Sequence, residues 1–401
     1  MQTAPHKPEP APWRIGAPRP LVFHLGAALA TYQQALLPAD AAAPLPPPPD
    51  CAAPPLAIAR EAARRLATLE EGIARWQHHP YRRRLPDPPA LWREGATRLL
   101  DYGGTGPVIL VVPSLVNRAY ILDLRPGHAL LRWLAGQGLQ PLLLDWGEPG
   151  GAEHGADLDT YGQRLAQAVT VAVERAGGPV GLVGYCMGGT LAAAYAATRP
   201  ERLSSLALLG APWRFSRETA PVALVRALGR ALGTHDLPML LDRLTQVFGA
   251  VPVELLQLFF AWLDPILAAR KFRRFAALDP ASDAAEHFVA IEDWLADGVP
   301  MAGPAAREVL GPWYLEDAPA KGAWSFLGQP VRAEAIRLPT LAVCAAADRI
   351  APPACTEALP EAIPGAQTLR PTSGHVGMIV GRAAPDRVWR PLAEFLQSAA
   401  A

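Results

Sequence analysis

Five short, largely apolar runs punctuate the chain, at residues 108–112, 141–145, 180–184, 206–209 and 341–344. They do not alternate apolar with polar. A strand of that kind is buried on both faces, as the central strands of a parallel sheet are. Helical patterns at 128–137, 158–176 and 190–197 separate the first four runs. Parallel neighbours need a crossover between them, and a helix is the usual one. The pattern therefore predicts an α/β fold, a mainly parallel sheet flanked by helices.

The alternation stops after Ala211. Residues 212–336 read as helical, most clearly at 219–232 and 252–269, and no strand pattern appears before 338. So long a helical excursion between two strands of one sheet predicts an inserted helical lid. Upstream, residues 1–55 form a Pro/Ala-rich leader, expected to be flexible, with a polyproline run at 44–49 and a short helical segment at 22–37. Residues 56–91 read as an N-terminal helix and linker. Ile58, Ala62, Leu66, Leu69, Ile73 and Trp76 recur at steps of three and four. The catalytic domain is expected over 92–397.

Composition narrows the function. Lys plus Arg and Asp plus Glu are both 37, and half the residues are apolar. That balance argues against nucleic acid or an anionic membrane as partner, and against disorder of the whole chain. Four cysteines, at 51, 186, 344 and 355, show no Cys-x-x-Cys spacing and no disulfide framework. No apolar run reaches the ~20 residues of a transmembrane segment. A cytoplasmic location is expected. No metal site is expected: His78, His79, His154 and His235 have no companion ligands in sequence.

The sharpest chemical signal is Gly184-Tyr185-Cys186-Met187-Gly188-Gly189-Thr190, between a strand and a helix. This is the context of a nucleophile elbow, with Cys where Ser usually stands. Small flanking residues relieve a strained turn, and the helix N-terminus favours a thiolate. Such sites on the α/β-hydrolase fold follow the order nucleophile, acid, histidine. Asp348, just beyond the run at 341–344, and His375, in Ser373-Gly374-His375-Val376-Gly377, complete that order. The oxyanion donors expected are the backbone N–H of Met187 and that of Leu115 or Val116, in the loop after the run at 108–112. Asn117 is expected to brace that loop, and Asp145-Trp146 to serve structure.

Several segments together resemble the polyhydroxyalkanoate (PHA) synthase family. They are Val112-Pro113-Ser114-Leu115-Val116-Asn117-Arg118-Ala119-Tyr120, Leu144-Asp145-Trp146-Gly147-Glu148-Pro149, Glu292-Asp293-Trp294-Leu295-Ala296-Asp297, Ala347-Asp348-Arg349-Ile350-Ala351-Pro352 and Gly374-His375-Val376-Gly377-Met378. The resemblance runs from about residue 92 to 397 and lies nearest the short, two-subunit type. Arg349 stands where that family commonly has His. The resemblance implies polymerisation of 3-hydroxyacyl-CoA through an acyl-Cys186 enzyme, with release of coenzyme A. Acyl-CoA would be substrate, and no cofactor would be bound permanently. It also implies a second synthase subunit or a homodimer as partner, and a place at the polyester granule surface. The alternative on the same triad is an esterase, thioesterase or polyester depolymerase. Two further segments stay open: 271–275, as a coenzyme A phosphate contact or a solvated helix face, and 255–262, as a polymer or partner contact or as lid packing.

Overall fold

The computed structural model describes residues 14, 18–36, 55–215, 219–232 and 236–400. The polyproline run at 44–49, most of the leader and His235 lie outside the described residues. The chain divides into two compact units, 1–83 with 257–297, and 84–256 with 298–401.

The strands are β1 (Ala90–Glu94), β2 (Thr97–Asp101), β3 (Val108–Val112), β4 (Gln140–Asp145), β5 (Val180–Tyr185), β6 (Leu203–Leu209), β7 (Ser325–Phe326), β8 (Gln329–Pro330), β9 (Thr340–Val343) and β10 (Gln367–Leu369). The helices used below are α1 (Leu21–Leu36), α2 (Pro55–Gln77), α3 (Leu130–Gly136), α4 (Leu158–Ala176), α5 (Met187–Thr198), α6 (Ala220–Leu232), α7 (Asp236–Phe248), α8 (Val253–Leu263), α9 (Leu267–Ala276), α10 (Asp283–Ala296) and α11 (Gly303–Glu308).

In the larger unit eight strands form one sheet in the order β1-β2-β4-β3-β5-β6-β9-β10. From β4 to β10 every pairing is parallel; β2 joins β4, and β1 joins β2, antiparallel. All residues of β3 and β5 are buried, which is why their sequences are apolar without alternation. The chain leaves β3 for β4 on one side and returns to β5 on the other. Strand order therefore reverses at β3, and a crevice forms at the carboxyl ends of β3 and β5. The flanking helices are set locally. Asp157 caps α4 by accepting from the Thr160 N–H at 2.8 Å, and Gly177, at φ 69°, ends it.

One feature is added here and two expectations are corrected. The hairpin β1–β2 has no counterpart in the apolar runs, because β1 is an exposed edge strand and carries no core pattern. The segment before 338 is not free of strands: β7 and β8 pair antiparallel within it. The helix expected over 252–269 is two, α8 and α9, interrupted around Asp264 and Pro265. A proline disfavours helical backbone in the residue before it and lacks the N–H to continue the ladder.

In the smaller unit Leu69, Ile73 and Trp76 of α2 share a core with Phe272 and Phe275 of α9 and Val289 of α10. The approach of α2 to α9 is close. A Cβ on Gly72 would lie 2.1 Å from the Phe272 carbonyl oxygen, so only glycine fits. The Arg14 guanidinium is fully buried here. It donates to both Asp293 carboxylate oxygens, at 2.7 and 2.6 Å, and to the carbonyls of Trp76, His79 and Tyr81. Lys271 pairs with buried Glu292 at 2.7 Å, and Phe275 stacks on Phe288. Of residues 271–275, Phe272 and Phe275 are buried, Arg274 is exposed, and Lys271 is already partnered. None of the residues of α8 is fully buried.

Candidate active site

Cys186 sits between β5 and α5 at φ 55° and ψ −129°. A non-glycine residue rarely takes positive φ, and such strain persists only where the surroundings enforce it. Here the enforcement is visible. The Cys186 N–H donates to the Leu209 carbonyl at 2.9 Å, and its own carbonyl accepts from the Gly189 N–H at 2.8 Å. A Cβ on Gly184 would lie 2.4 Å from Gly189 Cα, and one on Gly189 would lie 2.5 Å from Ala211 Cβ. The glycines that marked the elbow in sequence are required by close packing, against backbone at Gly184 and against the Ala211 side chain at Gly189. The Cys186 side chain is half-buried, at the carboxyl end of β5. Cys344 and Cys355 differ: both are buried, and burial pushes the Cys344 thiol up and the Cys355 thiol up to about 12.

Asp348 and His375 are brought together from loops after β9 and β10. His375 Nδ1 donates to Asp348 Oδ2 at 2.6 Å. The other carboxylate oxygen accepts from the Ile350 and Ala351 N–H groups at 2.8 and 2.9 Å. Both side chains are buried. This bonding fixes the imidazole tautomer and leaves Nε2 free of any partner at hydrogen-bonding geometry. Burial alone lowers the pKa of the His375 ring. Negative charge on Cys186 and the Asp348 carboxylate outweigh that, and hold it up at about 10.

The expected oxyanion elements follow the neighbouring strands β3 and β5. Met187 opens α5, so its N–H has no intrahelical acceptor. In the loop after β3, the Val116 N–H donates to Ser114 Oγ at 3.3 Å, while its carbonyl accepts from Val299. Asn117 forms a backbone bridge to Gly298. Trp146 Nε1 donates to the Pro113 carbonyl at 3.0 Å, and Asp145 pairs with Arg98. Both residues brace structure, as expected.

His79 and His154 are placed elsewhere. His79 Nε2 bonds the Pro280 carbonyl and Nδ1 accepts from the Tyr81 N–H. His154 lies against Gly249, where a Cβ would meet its ring at 2.6 Å. Among the described residues no group of His, Cys, Asp and Glu is gathered as a metal would need, and no helix is long and apolar enough to cross a membrane. One residue that the pattern of motifs did not single out is Tyr185. Its ring stacks on His375, with centroids 5.1 Å apart and planes 29° from parallel.

A family described as alpha/beta hydrolase fold matches residues 107–381. The chain is 30% identical over 316 residues to the poly(3-hydroxyalkanoate) polymerase subunit PhaC of Haloferax mediterranei, across 76% of this chain and 62% of that protein. It is 30% identical over 292 residues to the same-named subunit of Haloarcula marismortui, across 72% and 60%. With that of Synechocystis sp. it shares 30% over 281 residues, across 68% and 72%. The chain thus spans about three fifths of the length of the first two relatives.

Proposed function

Because the chain belongs to the alpha/beta-hydrolase fold family and, within it, to the poly(3-hydroxyalkanoate) polymerases, we propose that it is an acyltransferase that builds polyester from 3-hydroxyacyl-CoA. The observation that carries this reading is the cysteine at the strained elbow, at the same sheet edge as the His375–Asp348 pair. A thiol suits transfer from a thioester. Its acyl-enzyme is again a thioester, so the acyl group keeps its reactivity for an incoming alcohol. A serine would form an oxygen ester and lose that driving force.

Each residue then has a role. His375 takes the Cys186 proton at Nε2, and the sulfur attacks the thioester carbonyl. The oxyanion is held by the Met187 N–H and by one donor from the loop after β3. We assign that donor to Leu115, because the Val116 N–H is engaged by Ser114 Oγ. The tetrahedral intermediate collapses and the C–S bond to coenzyme A breaks. His375 returns the proton to the departing thiolate. In the second half, Nε2 accepts the proton of an acceptor 3-hydroxyl, whose oxygen attacks the acyl carbonyl and displaces Cys186. Asp348 holds the ring and balances its charge. A lid that excludes water from the acyl-enzyme would favour transfer, since water as acceptor gives hydrolysis. Acyl-CoA is a substrate in this scheme, and no resident cofactor or metal is needed. A second synthase subunit or a second copy is the partner, with action at the surface of the growing granule in the cytoplasm.

The test uses purified protein with 3-hydroxybutyryl-CoA, following coenzyme A release and the fate of the acyl group together. Polymer formed alongside released thiol is expected. Free 3-hydroxy acid without polymer would replace the synthase reading with a thioesterase.

A further inference from the structure

Tyr185 precedes the nucleophile in sequence and packs on the base in space. It ends β5, and its ring lies on the face of the His375 imidazole at 5.1 Å and 29°. It is 3% exposed, so no water competes for that face. Its hydroxyl reaches the His375 carbonyl oxygen at a long 3.4 Å, which makes that bond a weak one. Burial, with charge on Cys186 and Asp348, pushes the phenol well above its ordinary range, so the ring stays neutral. The imidazole is confined elsewhere too: a Cβ on Gly210 would lie 3.2 Å from both Cε1 and Nδ1 of His375.

We propose that Tyr185 is a positioning residue whose aromatic face stabilises His375 in its protonated form, and so favours the Cys186 thiolate beside it. A neutral aromatic face attracts a cation, most strongly where both are desolvated. The charged and titratable groups that face the ring are then Asp348 on the loop after β9, Cys186 at the elbow and Tyr185 on β5. Asp348 bonds an edge of the ring, at Nδ1, and Tyr185 covers a face, so the two act independently. The work is assigned to the ring, because the hydroxyl contact is long. This rests on the Cys186–His375 pairing proposed above.

The experiment measures the rate of iodoacetamide alkylation at Cys186 in the full chain between pH 4 and 10, with the modified peptide read by mass spectrometry. Site-resolved reading separates Cys186 from the other thiols. Replacing the ring, as in Tyr185→Leu, is expected to move the low-pH limb of thiolate reactivity up by about one unit, about a tenfold loss below the midpoint. Tyr185→Phe keeps the face and is expected to keep the parent profile. Tyr185→Met conserves more volume and serves if the leucine variant does not fold. A folded leucine or methionine variant with the parent profile overturns the proposal, as does a phenylalanine variant that shifts as far as leucine. The same measurement on His375→Gln separates the two readings. If it matches the parent, the Cys186–His375 pairing itself fails, and the role of Tyr185 with it.

Discussion

Gly188 stands so close to the end of β3 that a Cβ on it would lie 2.2 Å from the Val112 carbonyl oxygen and 2.3 Å from that of Pro113. The first turn of α5 and the loop after β3 are therefore in backbone contact. That contact sets how far the Met187 N–H lies from the donors of the loop. Gly188→Ala must push the two apart. We expect a loss of stability of about 1–3 kcal/mol and, with one oxyanion donor misplaced, a fall in kcat of about 100-fold. Thermal unfolding and steady-state coenzyme A release check the two effects separately. An alanine variant of parent activity would remove this contact from the account of the site.

Asp348→Asn leaves an oxygen for the Ile350 and Ala351 N–H groups, so the loop should keep its form. It removes the charge opposite His375 Nδ1 and allows the wrong tautomer. Activity is expected to fall on the order of 10² to 10⁴-fold, with KM little changed. Acyl-CoA turnover with burst analysis checks it, and a loss confined to KM would contradict the orienting role.

The elevated His375 pKa makes stability depend on pH. Burial opposes the imidazolium, but the charge on Cys186 and Asp348 outweighs it and sets a folded value of about 10, against 6.5 as the ordinary value. The folded state therefore binds the proton more tightly than the unfolded chain. The contribution is complete below about pH 6.5 and is lost as pH rises towards 10. Denaturant midpoints of the parent should decline through that window relative to His375→Gln. Cys186→Ala, which removes one of those two charges, should flatten the decline. Parallel curves for parent and His375→Gln would refute this.

Arg14 is fully buried against Asp293, whose carboxyl is pushed up by burial and drawn back down by that guanidinium. Arg14→Met strands the carboxylate among α2, α9 and α10. The cost expected is about 3–5 kcal/mol, measured by chemical denaturation. Asp293→Asn together with Arg14→Met should recover part of it. An Arg14→Met protein of parent stability would show that the pair contributes nothing net.

Much of the site was legible along the chain. The elbow shows as glycines around Cys186, and those glycines are demanded by contacts below 3 Å. Asp348 and His375 follow from the order of motifs after strand patterns, and they meet at 2.6 Å. Other features had no local signature. The edge strand β1 is mostly exposed, so its residues obey no core pattern. Residues 271–275 read as a coenzyme A phosphate contact or a solvated helix face; Lys271 is paired with Glu292 and both phenylalanines are buried, while Arg274 is exposed. Leu115 and Val116 are equivalent in sequence, and only the fold places the Ser114 hydroxyl on the Val116 N–H.

By itself the sequence determined the layered α/β architecture and the identity of the reactive side chains. Burial on both faces writes continuous apolar runs, and a strained turn admits few residue types. Only the tertiary structure decided which groups surround those side chains. Tyr185 and His375 are 190 positions apart, and nothing in either segment encodes the stacking of one ring on the other. Such a contact exists only once β5 and the loop after β10 are held at the same edge of one sheet.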